Sequence, residues 1–419
     1  MRAFPAVFAL LCFLVPVTAQ TNTDDVVKIT TNLVQIDAVV TKKGKPVTDL
    51  KAEDFEIYED GKLQTITSFV YVSNISNTTG ATPETSSNDP KTPSDSSTPS
   101  EPNSPPPTPT ETGRRRIALV IDDYALSAQS MADVRGQLRK FIDEQLSPND
   151  LIAIIRTSNV TRELPNFTND RNRINQAWEE VKWNHCNRIG VKQVKRVGDI
   201  ATVGCGTGAS FAESIGSLRA IVRALGQIPG RKSMVIFSDD MPLREDEKIS
   251  RGDSVLQPTS ESEEALSHSG RLRGLAELAI RSSVVIYGVD TSGLQPIGVT
   301  AADATPRPMM SGSSGNAIFA GQLRERLKLL QRRRDGAKMI AKATGGFLIY
   351  DQNEFQFDKI LEDQSGYYLI GYRPSEETFN KKFRKLTARV KQPGLEVRTR
   401  SGFFGLSEEE VRRLNEKKK

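Results

Sequence analysis

The sequence predicts an α/β chain: a doubly wound, mostly parallel sheet, with an additional small β-sandwich built from N- and C-terminal strands. Three observations predict it. Over residues 114–362 short continuous apolar runs alternate with segments of 3.6-residue periodicity, the pattern of strands covered on both faces and of the helices that cover them. Residues 26–72 and 363–406 instead carry turn-punctuated strand patterns, and each set is too short to bury a core of its own. Residues 73–113 are Ser, Thr, Pro, Asn and acid, a tether that cannot offset the entropy of ordering itself.

Composition narrows the function classes. The chain has 419 residues, 37% hydrophobic and 26% charged, with 57 Lys and Arg against 52 Asp and Glu. At about 100–200 residues per domain that length allows two or three domains. A formal charge of +5 is too small on so long a chain for an electrostatic grip on nucleic acid. His185 and His268 are the only histidines, which excludes a histidine-rich metal centre and leaves few bases for a catalytic triad. The scarcity of chemistry tilts the expectation toward binding.

At the start, Met1-Arg2 precedes an apolar run to Val17, and Val17-Thr18-Ala19 offers small residues before Gln20. Residues 1–19 therefore read as a secretory signal peptide, and no later stretch is long and apolar enough to span a bilayer. The expected product is exported, whether periplasmic, at the cell surface or secreted. Cys186 and Cys205 then remain; in an oxidising compartment they can close a loop worth about 3 kcal/mol, with two free thiols as the alternative.

Within 26–72, Leu33, Ile36, Ala38 and Val40 lie in a β-branched run, Lys43-Gly44 and Asp60-Gly61 mark turns, and Phe55-Glu56-Ile57-Tyr58 alternates between them. After the tether, Ile117 to Ile121 is a buried strand. Ser130 with Asp133 has capping-box spacing ahead of a helix with Met131, Val134, Leu138, Phe141 and Ile142 on one face. Residues 151–155 form the next strand and 170–181 a helix. An insertion holding both cysteines follows, then a helix from Ser210, a strand over 234–237 ending in Ser238-Asp239-Asp240, a helix over 272–280 and a strand over 284–289. A long helix over 323–343 and a last core strand over 347–350 complete the domain. Residues 366–372, 383–390 and 395–400 are three further strands; lacking a core, they are expected to pack with 26–72. The segment 407–419 is a charged tail.

Ligands of open α/β sheets bind beyond the carboxyl ends of the strands. Asp122-Asp123, the loop Gly204-Cys205-Gly206-Thr207-Gly208 and Asp239-Asp240 are expected to converge there. Two carboxylate loops and a hydroxyl suit Mg²⁺ with waters completing its shell, and helix capping or solvated loop charge is the alternative use of the same residues.

This constellation resembles the von Willebrand factor type A (vWA) family, and within it a vWA-related family of exported bacterial proteins of the acidobacterial type. The likeness rests on the run from Asn32 to Val40, on Val47-Thr48-Asp49-Leu50 through Phe55-Glu56-Ile57-Tyr58-Glu59-Asp60-Gly61, on Ile121-Asp122-Asp123, Asp150-Leu151-Ile152-Ala153 and Thr168-Asn169-Asp170-Arg171. Gly366-Tyr367-Tyr368-Leu369-Ile370-Gly371-Tyr372 and Ser401-Gly402-Phe403-Phe404 close it. The resemblance implies a metal-ion-dependent adhesion site formed by an Asp-x-Ser-x-Ser loop, a distant Thr and a distant Asp. Asp122, Thr207 and Asp239 match that pattern, whereas its two serines fall on Tyr124 and Leu126. The implied site is degenerate, with Asp122, Thr207 and Asp239 as metal ligands and any Mg²⁺ weakly held.

Two enzyme readings fare worse. Val203-Gly204-Cys205-Gly206-Thr207-Gly208 looks like the glycine-rich loop of S-adenosylmethionine-dependent methyltransferases, but the short Ile200-Ala201-Thr202-Val203 segment before it makes a poor buried strand. No Gly-x-Ser-x-Gly elbow appears, and Ser267-His268-Ser269 reads as a polar helix start. The expectation is a non-catalytic protein that binds a protein partner through Asp122, Asp123, Tyr124, Thr207 and Asp239. A structural or assembly component of the cell envelope, with no ligand at the loops, is the second expectation.

Overall fold

The computed structural model describes residues 33–74, 114–160, 166–183, 211–243, 267–293, 313–352, 354–374 and 382–405. The expected signal peptide, most of the expected tether, Cys186, Cys205, Thr207 and residues 406–419 lie outside these residues.

The first strands are β1 (Val34–Lys42), β2 (Lys45–Pro46), β3 (Phe55–Glu59), β4 (Lys62–Gln64) and β5 (Ile66–Ser73). Two hairpins among them are made where the sequence puts its turns. Lys43 and Gly44 have φ of 50° and 83°, Asp60 and Gly61 of 47° and 85°. Paired left-handed residues match the twist of the flanking strands, and Gly supplies the second at no steric cost.

β6 (Arg116–Ile121) opens the α/β layer, followed by α1 (Ala128–Glu144), β7 (Leu151–Arg156), α2 (Arg171–Glu179), α3 (Phe211–Gly226), β8 (Lys232–Ser238), α4 (His268–Arg281), β9 (Val284–Asp290), α5 (Ser313–Thr344), β10 (Leu348–Ile349) and α6 (Phe357–Asp363). The strand order is β10-β9-β8-β6-β7, and every neighbouring pair is parallel. β6 shows why its sequence is continuously apolar. Ile117, Leu119 and Ile121 join a core with Met131, Leu138 and Phe141 of α1 and Phe357 and Ile360 of α6. Ala118 and Val120 point the other way, into a core with Ile215, Leu218 and Val222 of α3, Leu272 and Leu275 of α4 and Ile340 of α5. Successive side chains alternate faces, so a strand covered on both sides must be apolar throughout.

Helix starts follow local side-chain chemistry, with one correction. Asp170 caps α2 by accepting from Asn172 N, and Ser267 caps α4 by accepting from Gly270 N. α1 is capped by Ser127, which accepts from Ser130 N at 3.1 Å. The expected cap, Ser130, is itself in the first turn and buried, because the helix begins a few residues earlier than the Ser130–Asp133 spacing implied.

β11 (Gly366–Tyr372), β12 (Phe383–Val390), β13 (Glu396–Arg398) and β14 (Gly402–Phe404) return the chain to antiparallel structure. The last of these was not anticipated. One sheet runs β13-β1-β11-β5 with β2 on β1, the other β14-β12-β3-β4. Both mix strands from the two ends of the chain: Ile36 lies opposite Ile370, and Ile57 opposite Ala388. Val34, Ile36, Phe55, Ile57, Tyr368, Ile370, Leu386 and Phe403 fill the space between them. The fold is thus an α/β layer with a parallel sheet, plus a small sandwich of antiparallel strands.

The sandwich meets the α/β layer closely. Gly345, just past α5, has φ of 88°, and a Cβ there would lie 3.0 Å from the Thr399 backbone. Ser401 N donates to Ala343 O at 2.9 Å beside it. No helix among the described residues is long and apolar enough to cross a membrane.

Candidate functional site

The chain leaves β6 for β7 on one side and later returns to β8 on the other. That reversal opens a crevice beyond the carboxyl ends of β6 and β8. Asp122 follows the last residue of β6, Ser238 ends β8, and Asp239 follows it.

Asp122 is 1% exposed. Its Oδ1 accepts from Ser214 Oγ of α3 at 2.9 Å and from Thr157 Oγ1 after β7 at 3.1 Å, and its Oδ2 accepts from Ser238 Oγ at 3.0 Å. Burial pushes its carboxyl up to about 6, the three hydroxyl donors pull against that, and Asp123 adds a further upward push. The turn after β7, helix α3 and the end of β8 therefore converge on one sequestered carboxylate.

Asp123 turns the other way. Arg156 donates to its Oδ2 from Nη2 at 2.7 Å and from Nε at 3.0 Å, while Ser158 N and Thr157 Oγ1 reach Oδ1 at 2.9 Å each. Asp239 is drawn to the start of α1: its Oδ2 accepts from Ser127 N at 2.9 Å and Ser130 Oγ at 2.7 Å, and Thr291 Oγ1 donates to Oδ1. A carboxylate at a helix N-terminus satisfies an orphan N–H and complements the helix dipole. Asp290, at the end of β9, accepts from Ser292 N at 3.0 Å and pairs with Arg334.

Tyr124 is half-buried, and its phenol is pushed above its ordinary range by burial first, then by Asp123, Glu213 and Asp122, against a hydrogen bond with Ser217. Leu126, where the adhesion pattern has its second serine, is 0% exposed and packs in the core against α1. Trp183 donates Nε1 to Leu126 O at 3.4 Å and is 40% exposed, which puts a large aromatic on the same rim. Thr207 lies outside the described residues.

Asp122, Asp123, Tyr124 and Asp239 thus share the rim above the β6–β8 crevice; Asp122 and Asp123 share the Thr157 hydroxyl, while Asp239 faces a separate set of donors. Among the described residues no group of three or more His, Cys, Asp or Glu is placed to hold a metal ion. Asp122 is ringed by the hydroxyls of Thr157, Ser214 and Ser238, while Leu126, where the adhesion pattern has its second serine, supplies no oxygen. The His268 ring packs on Phe211 in a tilted arrangement, with ring centroids 3.9 Å apart.

Sequence reasoning missed the four partners that define the site, Thr157, Ser214, Ser238 and Trp183. Isolated Ser and Thr residues carry no periodic signal. Trp183 lies beyond the end of α2, and only the fold brings it to Leu126.

The sequence matches no protein-family model and no curated protein. Among solved structures it is similar to an uncharacterized membrane spanning protein from Vibrio fischeri, at 15% identity over 59% of this chain and 95% of that one, with a TM-score of 0.16. It is also similar to the human COPII-coat protein Sec24c, at 8% identity over 70% of this chain and 44% of that one, with a TM-score of 0.30. Superpositions this distant carry no argument about fold or ligand.

Proposed function

We propose that the chain is an exported vWA-type protein that binds another protein through the loops at the carboxyl ends of β6, β8 and β9, and that it alters no covalent bond. The single observation that carries this reading is the buried Asp122 carboxylate. It ties Thr157, Ser214 and Ser238 into one hydrogen-bonded rim at the switch point of the sheet. Such a network holds loops in a fixed shape, and a rigid rim loses little entropy when a partner docks. Trp183, exposed beside Leu126, supplies the aromatic anchor that binding energy tends to concentrate in.

Binding is read as independent of a cation, since a bulky phenol at Tyr124 and an oxygen-free side chain at Leu126 stand where the adhesion motif has its two serines. The test pairs two measurements on the full chain. Calorimetry with Mg²⁺, Mn²⁺ and Ca²⁺ is expected to give no saturable heat. A pull-down from envelope extract is expected to retain a protein that Trp183→Ala loses, with the fold of the variant checked by circular dichroism. Retention unaffected by Trp183→Ala overturns the rim as the contact surface, and turnover of a small molecule by the purified chain overturns the non-catalytic reading.

A further inference from the structure

Far from the rim, where the sandwich meets the α/β layer, lies a cavity of about 80 Å³ whose polar walls are Asp37 of β1, Arg231 just before β8, Ser283 before β9, and Arg398, Thr399 and Arg400 after β12. Its chemistry is one-sided. The Arg231 side chain is only 6% exposed, and its Nε and Nη1 have no hydrogen-bond partner among the described residues. Arg400 Nε and Thr399 Oγ1 are equally buried and equally without one.

The remaining guanidinium contacts are committed elsewhere. Arg231 Nη2 stands 4.0 Å from Asp363 and the Arg231 guanidinium lies over the Tyr367 ring at 4.8 Å. Arg398 pairs with the same Asp363, and Arg400 Nη2 donates to Gln35 O at 2.6 Å. Among the described residues the carboxylates facing Arg231, Arg398 and Arg400 are Asp37 and Asp363, which leaves positive charge in excess. Unsatisfied donors on a buried cation are expensive, so such an arrangement is expected to hold an acceptor.

We propose that this cavity binds a small tetrahedral oxyanion, phosphate or sulfate, clasped between Nε and Nη1 of Arg231, Nε of Arg400 and the hydroxyl of Thr399. The donors converge from an α/β loop and from the β13–β14 connection, so a bound anion would bridge the two layers. Several oxygens on one centre accept from all of them at once, and guanidinium groups suit that geometry. A cavity of this size has room for more than a single water. The site is separate from the rim and stands or falls independently of it.

The test is calorimetry on the full chain with sodium phosphate, sodium sulfate and sodium acetate, against sodium chloride at equal ionic strength. Sulfate and phosphate stabilise proteins generally by exclusion, so the deciding readout is saturable heat with one anion per chain. Phosphate or sulfate is expected to bind saturably, and both Arg231→Met and Arg400→Met to weaken that binding at least tenfold. Should Arg231→Met fail to fold, Arg400→Met, whose side chain carries no carboxylate pair, decides alone. No saturable heat with either tetrahedral anion, undiminished affinity in Arg400→Met, or tighter binding of acetate than of phosphate overturns the proposal. So does a crystal grown from phosphate with only water at Arg231 Nε.

Discussion

Glu59 and Arg384 stand 325 positions apart in the chain and meet at 2.8 Å inside the sandwich. Glu59 ends β3 and Arg384 lies in β12, and the second Glu59 oxygen accepts from Tyr372 OH of β11 at 2.8 Å. The triad crosses from one sheet to the other. Both charges are nearly sealed from water, with side-chain exposures of 9% for Arg384 and 4% for Glu59. Removing one partner of such a pair leaves the other buried and uncompensated, so Glu59→Ala is expected to lower stability by about 3–5 kcal/mol. Urea unfolding of the variant beside the parent chain measures it; a loss below about 1 kcal/mol would mean that the pair is solvated.

Asp122 predicts an unusual pH dependence. Its carboxyl is raised from 3.8 to about 6 by burial, so the folded state holds this proton more tightly than the unfolded state does. The contribution is then fully present below about pH 4 and is lost as pH rises through about 6. Asp122→Asn removes the titration while keeping the shape. Stability of the variant relative to the parent should therefore improve between pH 4 and pH 7, by on the order of 3 kcal/mol for a shift of about two pKa units. Parallel denaturation curves at pH 4, 5, 6 and 7 check this, and a constant difference across them refutes the raised carboxyl.

Asp239 is tied to the first turn of α1 through Ser127 N and Ser130 Oγ. Loss of this outside cap should cost about 2 kcal/mol in Asp239→Ala, with the far-UV signal of the folded state unchanged. If Asp239 instead served mainly as a cation ligand, the same variant would be at least as stable as the parent in chelator.

Leu126 stands where the resembled adhesion pattern has its second serine. It is 0% exposed and sits among Met131, Ile121 and Phe237 in one of the two α/β cores. Leu126→Ser, which restores the motif's second serine, should destabilise by about 2–5 kcal/mol through the cavity and the buried hydroxyl. Thermal unfolding reads the outcome. An unaffected midpoint would mean that the position is an exposed loop residue after all.

The legible parts of the fold are those where burial dictates composition. β6 announces itself because both its faces are covered, and the sandwich announces itself because neither end of the chain carries enough apolar residues alone. What escaped is set by pairing and not by composition. β14 is three residues long, and nothing in Gly402-Phe403-Phe404 marks it as a partner of β12. At the rim, Asp122 and Asp239 were legible as acids at strand ends. Their separate commitments, one to hydroxyls and one to a helix start, depend on Ser127, Ser214 and Ser238, whose neighbours give no hint of them. The arginines of the interlayer cavity were invisible for the same reason: Arg231, Arg398 and Arg400 lie in loops and a short strand, and only the packing of one layer on the other turns them inward.

The interleaving of β1 with β11 and of β3 with β12 also fixes an order of events during synthesis. β1 and β3 can form their hairpins with β2 and β4 early, but must wait for their partners β11 and β12 until residues 366–390 have emerged. Closing a loop of that length is slow, and the waiting edges are open to pairing with other chains. A chain interrupted before residue 366 would therefore hold every strand of the parallel sheet, yet leave the edges of β1, β3 and β5 that β11 and β12 cover open to other chains.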